Sequence, residues 1–165
     1  MFDFWDDLGA IPKLIIKVVV LAVIGILAFK FVIAVYPMHD NSMFPMVKDG
    51  DLCISYKLEP YLYGDVVLYK TDDGLRMGRI IARSGSSVSF NGEDVLVDGS
   101  VLSEDIFYPT PDAGLGADTT IRVGIDEVYI LNDYRADTKD SRTYGPISTK
   151  DLRGKLIFVL RRRSF

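Results

Sequence analysis

The sequence has very little of the side-chain chemistry on which many enzymes and binding modules depend. It contains one cysteine, Cys53, and one histidine, His39, in 165 residues. A single cysteine allows neither an intrachain disulfide nor a cysteine-built zinc site. The net charge is −4 and the pI is about 5.0, so there is no basic footprint for nucleic acid. We therefore expect no metal, no cofactor and no nucleic-acid partner.

The shortage of histidine limits the ways in which a serine can be activated. Ser42 lies in the segment "HDNSMFPMVKDGD", and His39 precedes it on the same local stretch. The base of a Ser-His-Asp triad usually comes from another part of the fold, so His39 is not expected to be a base. Cys53 lies in the strand-like run "DLCISYK" and is expected to be a packed thiol rather than a nucleophile.

Charge is nearly absent from a long apolar stretch near the N-terminus. From Leu14 to Tyr36 the only charged residues are Lys17 and Lys30. The uninterrupted apolar core is shorter than the roughly 20 residues that a spanning helix needs, but a lysine near a helix end can reach the headgroups. Because the stretch is apolar on every face, it predicts a transmembrane anchor.

Two other interpretations of this stretch stay open. A helix buried in a soluble core is one, and a signal peptide cleaved near Val32-Ile33-Ala34 is the other, although the apolar segment is long for a signal peptide. Lys13 and Lys17 precede the apolar core and predict a cytoplasmic N-terminus. We therefore predict an uncleaved single-pass anchor in residues 1–37 and a domain in residues 38–165 on the extracytoplasmic face of the cell membrane.

The rest of the chain alternates short β-like runs with turns. Asn91-Gly92 and Asp98-Gly99 are hairpin-turn signals, and residues 108–118 are rich in proline and glycine and predict an exposed loop. No helix-length periodic segment follows residue 40, so we predict a mainly β domain, barrel-like or sandwiched. The candidate strands are DLCISYKL, GDVVLYK, GRIIARSG, SSVSFNG, DVLVDGSVL, EVYILND and GKLIFVLR.

Four short motifs resemble, in the same order, those of bacterial type I signal peptidases, the membrane-anchored serine proteases that remove signal peptides. Ser42–Pro45 followed by Gly50-Asp51 looks like the nucleophile box of that family, and Tyr63–Val67 looks like its second box. Gly78–Ala82 aligns with the Lys-Arg-hydrophobic-hydrophobic box, and Asn132–Gly145 aligns with the final box. The resemblance covers the anchor and nearly all of the domain that follows it.

The resemblance implies both a fold and a mechanism. The fold is a signal-peptidase-like β domain, here with a small cap region at about residues 91–126. In the mechanism a serine hydroxyl attacks the scissile carbonyl while a neutral lysine acts as general base. Ser42 then has the nucleophile position, and Thr138 takes the place of the serine that holds the lysine. Asp140 and Arg142 would form a supporting salt bridge.

Two departures from the family pattern remove parts of this mechanism. The lysine position is Gly78, which has no side chain to accept a proton. The neighbouring Arg79 matches the family's arginine, but a guanidinium stays protonated in proteins. Asp40 would place a carboxylate near the oxyanion hole, where it would oppose the stabilisation that such sites supply. We therefore expect Ser42 to lack an activating base.

These departures favour a catalytically silent member that keeps the fold for binding. Family members without the dyad residues are associated, in Gram-positive bacteria, with pilus assembly by sortases and pilin subunits, and this sequence is similar in its short cap and missing lysine. Such a protein would bind extended peptide or pilin segments by strand addition, as an assembly factor or chaperone. The alternative is an active serine signal peptidase with a displaced base. A self-cleaving regulator fits less well, because the chain has an anchor and no DNA-binding module.

Overall fold

The computed structural model describes residues 4–58, 60–106, 108–116 and 119–161. The chain separates into two compact units, and the division falls between Ile33 and Ala34, whereas the sequence placed it after residue 37. The reason lies in the residues that follow the helix. Two β-branched residues, Ile33 and Val35, precede Pro37, and both features disfavour a continued helix and favour an extended backbone.

The first unit is a single helix, α1, which runs from Phe4 to Val32. Its section Pro12–Val32 is exposed and has a mean hydropathy of 2.6 in its most apolar window. By length and composition this section can cross a membrane. The predicted N-terminal apolar helix is confirmed, although it ends before Tyr36.

The second unit is built from strands. In chain order they are β1 (Ile33–Pro37), β2 (Leu52–Tyr56), β3 (Val66–Thr71), β4 (Gly74–Arg83), β5 (Ser87–Asn91), β6 (Asp94–Val97), β7 (Ser100–Val101), β8 (Thr120–Arg122), β9 (Glu127–Leu131), β10 (Ile147–Ser148) and β11 (Leu152–Leu160). Within the described ranges they form a sheet in the order β1-β2-β11-β3-β4-β9-β10 and a smaller sheet in the order β7-β6-β5-β8. The mainly β fold class is confirmed.

The smaller sheet lies between Ser87 and Arg122 and overlaps the region of about residues 91–126 in which the sequence predicts a cap. It begins at Ser87, slightly before the predicted start of the cap at residue 91, because β5 enters it directly from β4. The two turns expected from the sequence join its strands, with Gly92 at φ 66° and Gly99 at φ 78°. The sequence did not indicate β8, β10 or the one-turn helix α2 (Ser141–Tyr144), since elements of two to four residues are too short to show a periodic pattern.

The loop between β1 and β2 packs onto one face of the larger sheet. Met38, Met43 and Val47 from this loop are buried together with Cys53 of β2 and Met77 of β4. Burial raises the pKa of the Cys53 thiol to about 11, with a smaller contribution from Asp51. The thiol is thus packed in the core, as the sequence suggested, and the loop is anchored to the sheet by its methionines.

Candidate active site

Ser42 lies in the loop that joins β1 to β2. The base of this loop is closed by backbone hydrogen bonds from Met38 N–H to Asp51 C=O (2.8 Å) and from Gly50 N–H to Met38 C=O (2.9 Å). Gly50 has a φ of 84°, a conformation that glycine adopts readily. The Asp51 carboxylate also accepts the Lys48 N–H (3.0 Å). Gly50 and Asp51 of the first motif therefore shape the loop.

In the described part of the chain, the Ser42 hydroxyl group is not hydrogen-bonded to a base. Ser42 is 3% exposed, and its carbonyl accepts the Tyr134 N–H (2.9 Å). Its own N–H donates to Asp40 Oδ1 (3.0 Å). His39 is exposed and its ring contacts the ring of Tyr36 edge to face. Among the residues that the structure describes, none forms a hydrogen bond with the Ser42 hydroxyl.

The hydrogen bond to Asp40 occupies the backbone N–H of Ser42, a donor of the kind that stabilises the transition state of acyl transfer. Backbone N–H groups at a nucleophile commonly stabilise the negative oxygen that develops during attack. Here the Asp40 carboxylate accepts that N–H, and its charge would repel a second negative oxygen at the same place. The prediction that Asp40 opposes oxyanion stabilisation therefore concerns a carboxylate in direct contact with the Ser42 N–H.

Gly78 lies in the middle of β4, opposite Val67 of β3. A Cβ atom at this position would overlap Cγ2 of Ile130 and would lie 3.3 Å from Cε1 of Tyr69 and from the carbonyl oxygen of Leu131. Cγ2 is bonded to the branched Cβ of the isoleucine, so it cannot move away without the whole side chain. The space that the stem of a lysine needs is therefore occupied.

Arg79, next to Gly78, is held as a permanent cation. Its Nε and Nη2 donate to Oδ1 (2.8 Å) and Oδ2 (2.6 Å) of Asp133, and its Nη1 donates to the Gly64 carbonyl (2.9 Å). The hydrogen bonds that Arg79 donates to the Asp133 carboxylate raise the pKa of Arg79 further. Sequence reasoning missed this pair, because the two residues are 54 positions apart and meet only through the pairing of β4 with β9.

Asp140 and Arg142 form the salt bridge that the family pattern implies. Arg142 Nε and Nη2 donate to Oδ1 (2.9 Å) and Oδ2 (2.6 Å) of Asp140, and both side chains are completely buried. Asp140 Oδ2 also accepts the Asn132 N–H (3.0 Å), and Arg142 Nη1 donates to the carbonyls of Arg135 and Pro111. These contacts link residues of the final motif to one another through a buried ion pair.

Thr138 contacts the rest of the final motif through its backbone carbonyl. Its carbonyl accepts the Asp140 N–H (2.8 Å) and the Thr143 hydroxyl (2.6 Å), while its own hydroxyl has no hydrogen-bond partner within the described part of the chain. Lys48, the lysine closest to Ser42 in sequence, has its ammonium 5.2 Å from the centre of the Phe44 ring. No group of three or more metal-ligating side chains occurs among the described residues.

The sequence is similar to known signal peptidases. A family profile described as "Signal peptidase, peptidase S26" matches residues 11–161. The "Probable signal peptidase I-1" of Synechocystis is 27% identical over 132 residues, which are 72% of this chain and 66% of that protein. The "Signal peptidase I" of Bacillus caldolyticus is 26% identical over 146 residues, covering 78% and 79%. The "Inactive signal peptidase IA" of Staphylococcus aureus is 26% identical over 158 residues, covering 88% and 89%.

The fold is also similar to that of a solved structure. The crystal structure of a signal peptidase I from Enterococcus faecalis V583 aligns with a TM-score of 0.52 at 20% identity. The alignment covers 61% of this chain and 100% of that chain. At this level of identity the similarity establishes the fold alone.

Proposed function

The chain belongs to the signal peptidase family, peptidase S26, and from that premise we propose that it binds extended segments of exported proteins at the membrane without cleaving them. The proposal rests mainly on the position where active members of the family have their general-base lysine. Gly78 has no side chain, and Ile130 and Tyr69 fill the space beside it. A serine hydroxyl is a poor nucleophile at neutral pH until a base shares its proton.

The contact of Asp40 with the Ser42 N–H supports the same proposal. A general base contributes about 10²–10⁴-fold to such reactions, and one oxyanion-hole donor contributes about 10²–10³-fold. Losing both would remove most of the acceleration that the fold provides, although the two effects are not additive in detail. Loss of activity has a parallel in the family, since the Staphylococcus aureus relative is named inactive.

Binding of an extended peptide does not require the missing groups. A peptide can add to a sheet edge through backbone hydrogen bonds, and shallow pockets then select its side chains. Within the described residues, β1 is an edge strand of the larger sheet, and the loop with Ser42 follows it directly. A strand added to this edge would therefore run toward Ser42.

The proposal also includes the bound partner and the side of the membrane on which the β domain lies. We propose pilin segments as the bound peptides and sortase as a further partner in assembly, because the chain resembles pilus-assembly members that lack the lysine. The apolar helix α1 and the family indicate a membrane-anchored protein. Lys13 and Lys17 before the apolar core support an extracytoplasmic position for the β domain.

The anchor has its own test. After alkaline carbonate extraction of membranes, the full-length chain should remain in the pellet. A shorter soluble form that begins near residue 35 would instead show that the segment is a cleaved signal peptide. Protease added to spheroplasts should digest the β domain, and complete protection would contradict the extracytoplasmic location.

The function is tested by measuring binding and cleavage in one reaction. The full chain in lipid nanodiscs is mixed with a fluorescently labelled pilin precursor, anisotropy reports binding, and mass spectrometry reports cleavage. We expect saturable binding and an intact precursor after overnight incubation. An active member of the family, assayed in parallel, shows that the precursor is cleavable. Cleavage by this chain that disappears in Ser42→Ala would establish the active-peptidase alternative and overturn the proposal.

A further inference from the structure

A cavity of about 880 Å³ lies in the second unit. Its walls come from the end of the Ser42 loop, the turn before β3, strand β4 and the cap segment after β7. Neither Ser42 nor Gly78 lines it. The volume falls in the range of about 300–1,000 Å³ that is usual for ligand pockets. The lining includes Met46, Tyr63, Arg79, Glu104, Tyr108 and Asp133.

Two tyrosines line this cavity, and each side chain has a further contact with the protein. Tyr63 is 53% exposed, and its hydroxyl donates to the carbonyl of Ser103 (3.3 Å), which ties the turn before β3 to the cap. Tyr108 is 37% exposed, and its ring meets the ring of Tyr134 edge to face at 5.7 Å. Exposed, fixed aromatic rings beside a concave apolar surface are typical of binding sites, because they give a large contact area at little entropic cost.

The charged groups of the cavity are largely neutralised by pairing. Asp133 holds Arg79 through two hydrogen bonds, and both carboxylate oxygens of Glu104 lie 2.6 Å from Nη2 of Arg135 behind the wall. The remaining charged residues of the lining, Asp105 and Arg161, have opposite signs. A charged occupant would have to compete with these ion pairs, whereas an uncharged occupant leaves them in place.

One donor of Arg79 has only a weak acceptor. Arg79 Nη2 contacts the Met46 thioether sulfur at 3.3 Å, and a thioether accepts hydrogen bonds poorly. Met46 is unbranched and exposed, so it can change rotamer at low cost. A peptide carbonyl is a better acceptor and would replace the sulfur on this donor.

We propose that this cavity binds an uncharged extended peptide segment, with an aromatic or branched aliphatic side chain between Tyr63 and Tyr108 and a carbonyl on Arg79. The choice of a peptide as occupant rests on the proposed function, which already supplies extended segments of exported proteins. The cavity would then be a second contact for such a partner, separate from the edge of β1.

The test uses the methionine methyl groups as reporters. The full chain, labelled with ¹³C at the methionine methyls and held in zwitterionic nanodiscs, is titrated with N-acetyl-Gly-Phe-Leu-Gly-amide. Met46 lines the cavity, whereas Met43 of the Ser42 loop and Met77 of β4 are buried in a hydrophobic cluster. We expect a saturable shift of the Met46 signal, which is assigned from Met46→Leu, with little change at Met43 and Met77.

Two tryptophan variants provide the matched comparison. Ser103→Trp fills the cavity while the backbone carbonyl that binds Tyr63 stays, and we expect the affinity to fall at least about tenfold. Ser100→Trp puts the same side chain on the exposed strand β7, outside the cavity, and should bind like the unmodified chain. Peptides with Lys or Glu in place of Phe should bind at least about tenfold more weakly.

Several results would overturn the proposal. They are the absence of a saturable Met46 shift, unchanged affinity in Ser103→Trp, or equal affinity for the charged peptides. An equal Met46 shift on exchange to anionic lipid, without peptide, would assign the cavity to lipid and also overturn it. Shifts confined to Met43 and Met77 would reject the cavity and leave the proposed function intact. A Met46 shift without binding of the pilin precursor would reject the proposed function and keep the cavity.

Discussion

The carboxylate of Asp40 accepts the backbone N–H of Ser42, with Oδ1 3.0 Å from the nitrogen. The nucleophile position therefore has its own N–H engaged by a negative group before any substrate arrives. Together with Gly78 on β4, where Ile130 and Tyr69 fill the neighbouring space, this contact is the basis of the proposal that the chain binds peptides without cleaving them.

Restoring the lysine alone should not restore cleavage. In Gly78→Lys the new Cβ would overlap Ile130 Cγ2, so we expect a loss of about 1–3 kcal/mol in unfolding free energy, as for other overpacked cores. Urea denaturation measures the stability, and a fluorogenic signal-peptide substrate measures cleavage. A Gly78→Lys variant as stable as the unmodified chain would contradict the occupied space beside Gly78.

Removing the obstacles together with adding the base should produce activity. We expect Asp40→Ser/Gly78→Lys/Ile130→Ala to cleave the substrate at least about 10²-fold faster than the unmodified chain, since a base contributes about 10²–10⁴-fold. The matched control replaces the lysine by methionine, which has a similar length and no amine. Equal rates for the lysine and methionine variants would refute the role assigned to position 78.

Changing Ser42 to alanine should leave biological function largely intact. The Ser42 hydroxyl has no hydrogen-bond partner in the described residues, so the melting temperature should not change. A bound peptide would lose at most one hydrogen bond, about 0.5–1.5 kcal/mol. Pilus polymer length in cells is the measurement, and the bulkier Ser42→Trp should do more damage. An alanine variant that is folded, membrane-bound and equivalent to a deletion would show that Ser42 is catalytic.

Asp140→Asn should be strongly destabilising. It leaves the Arg142 guanidinium buried without its counter-charge, and breaking a buried pair in this way costs about 3–5 kcal/mol. Asp151→Asn is the control, because Asp151 and Arg153 are 3.8 Å apart with side chains 48% and 39% exposed. That exposed pair should contribute about 0–1 kcal/mol. Similar losses in urea denaturation for both variants would contradict the structural role of Asp140.

The Cys53 thiol should resist alkylation in the folded protein. A pKa of about 11 instead of the ordinary 9.0 lowers the thiolate fraction at pH 8 by about a hundredfold, and burial also blocks access of the reagent. Because the raised pKa favours the neutral thiol, the reaction should accelerate as the pH rises toward 11. Mass spectrometry after iodoacetamide treatment measures the rate, with the urea-unfolded chain as control. Equal rates in both states would place Cys53 at the surface.

The sequence by itself determined the class of fold and the order of the motifs. The apolar stretch before Pro37, the β-branched runs and the turns at Gly92 and Gly99 carry local patterns that depend on neighbours along the chain. The absence of a lysine at Gly78 was also visible in the sequence, because one aligned position is enough to show it. These predictions needed no knowledge of which strands pair.

Only the tertiary structure decided which side chains surround Gly78 and Arg79. The Arg79–Asp133 pair, the position of Ile130 beside Gly78 and the cavity under the cap depend on the register of β4 against β9 and on the cap segment. Strand register is set by packing across the whole sheet, and a single sequence contains no local pattern that specifies contacts between distant strands.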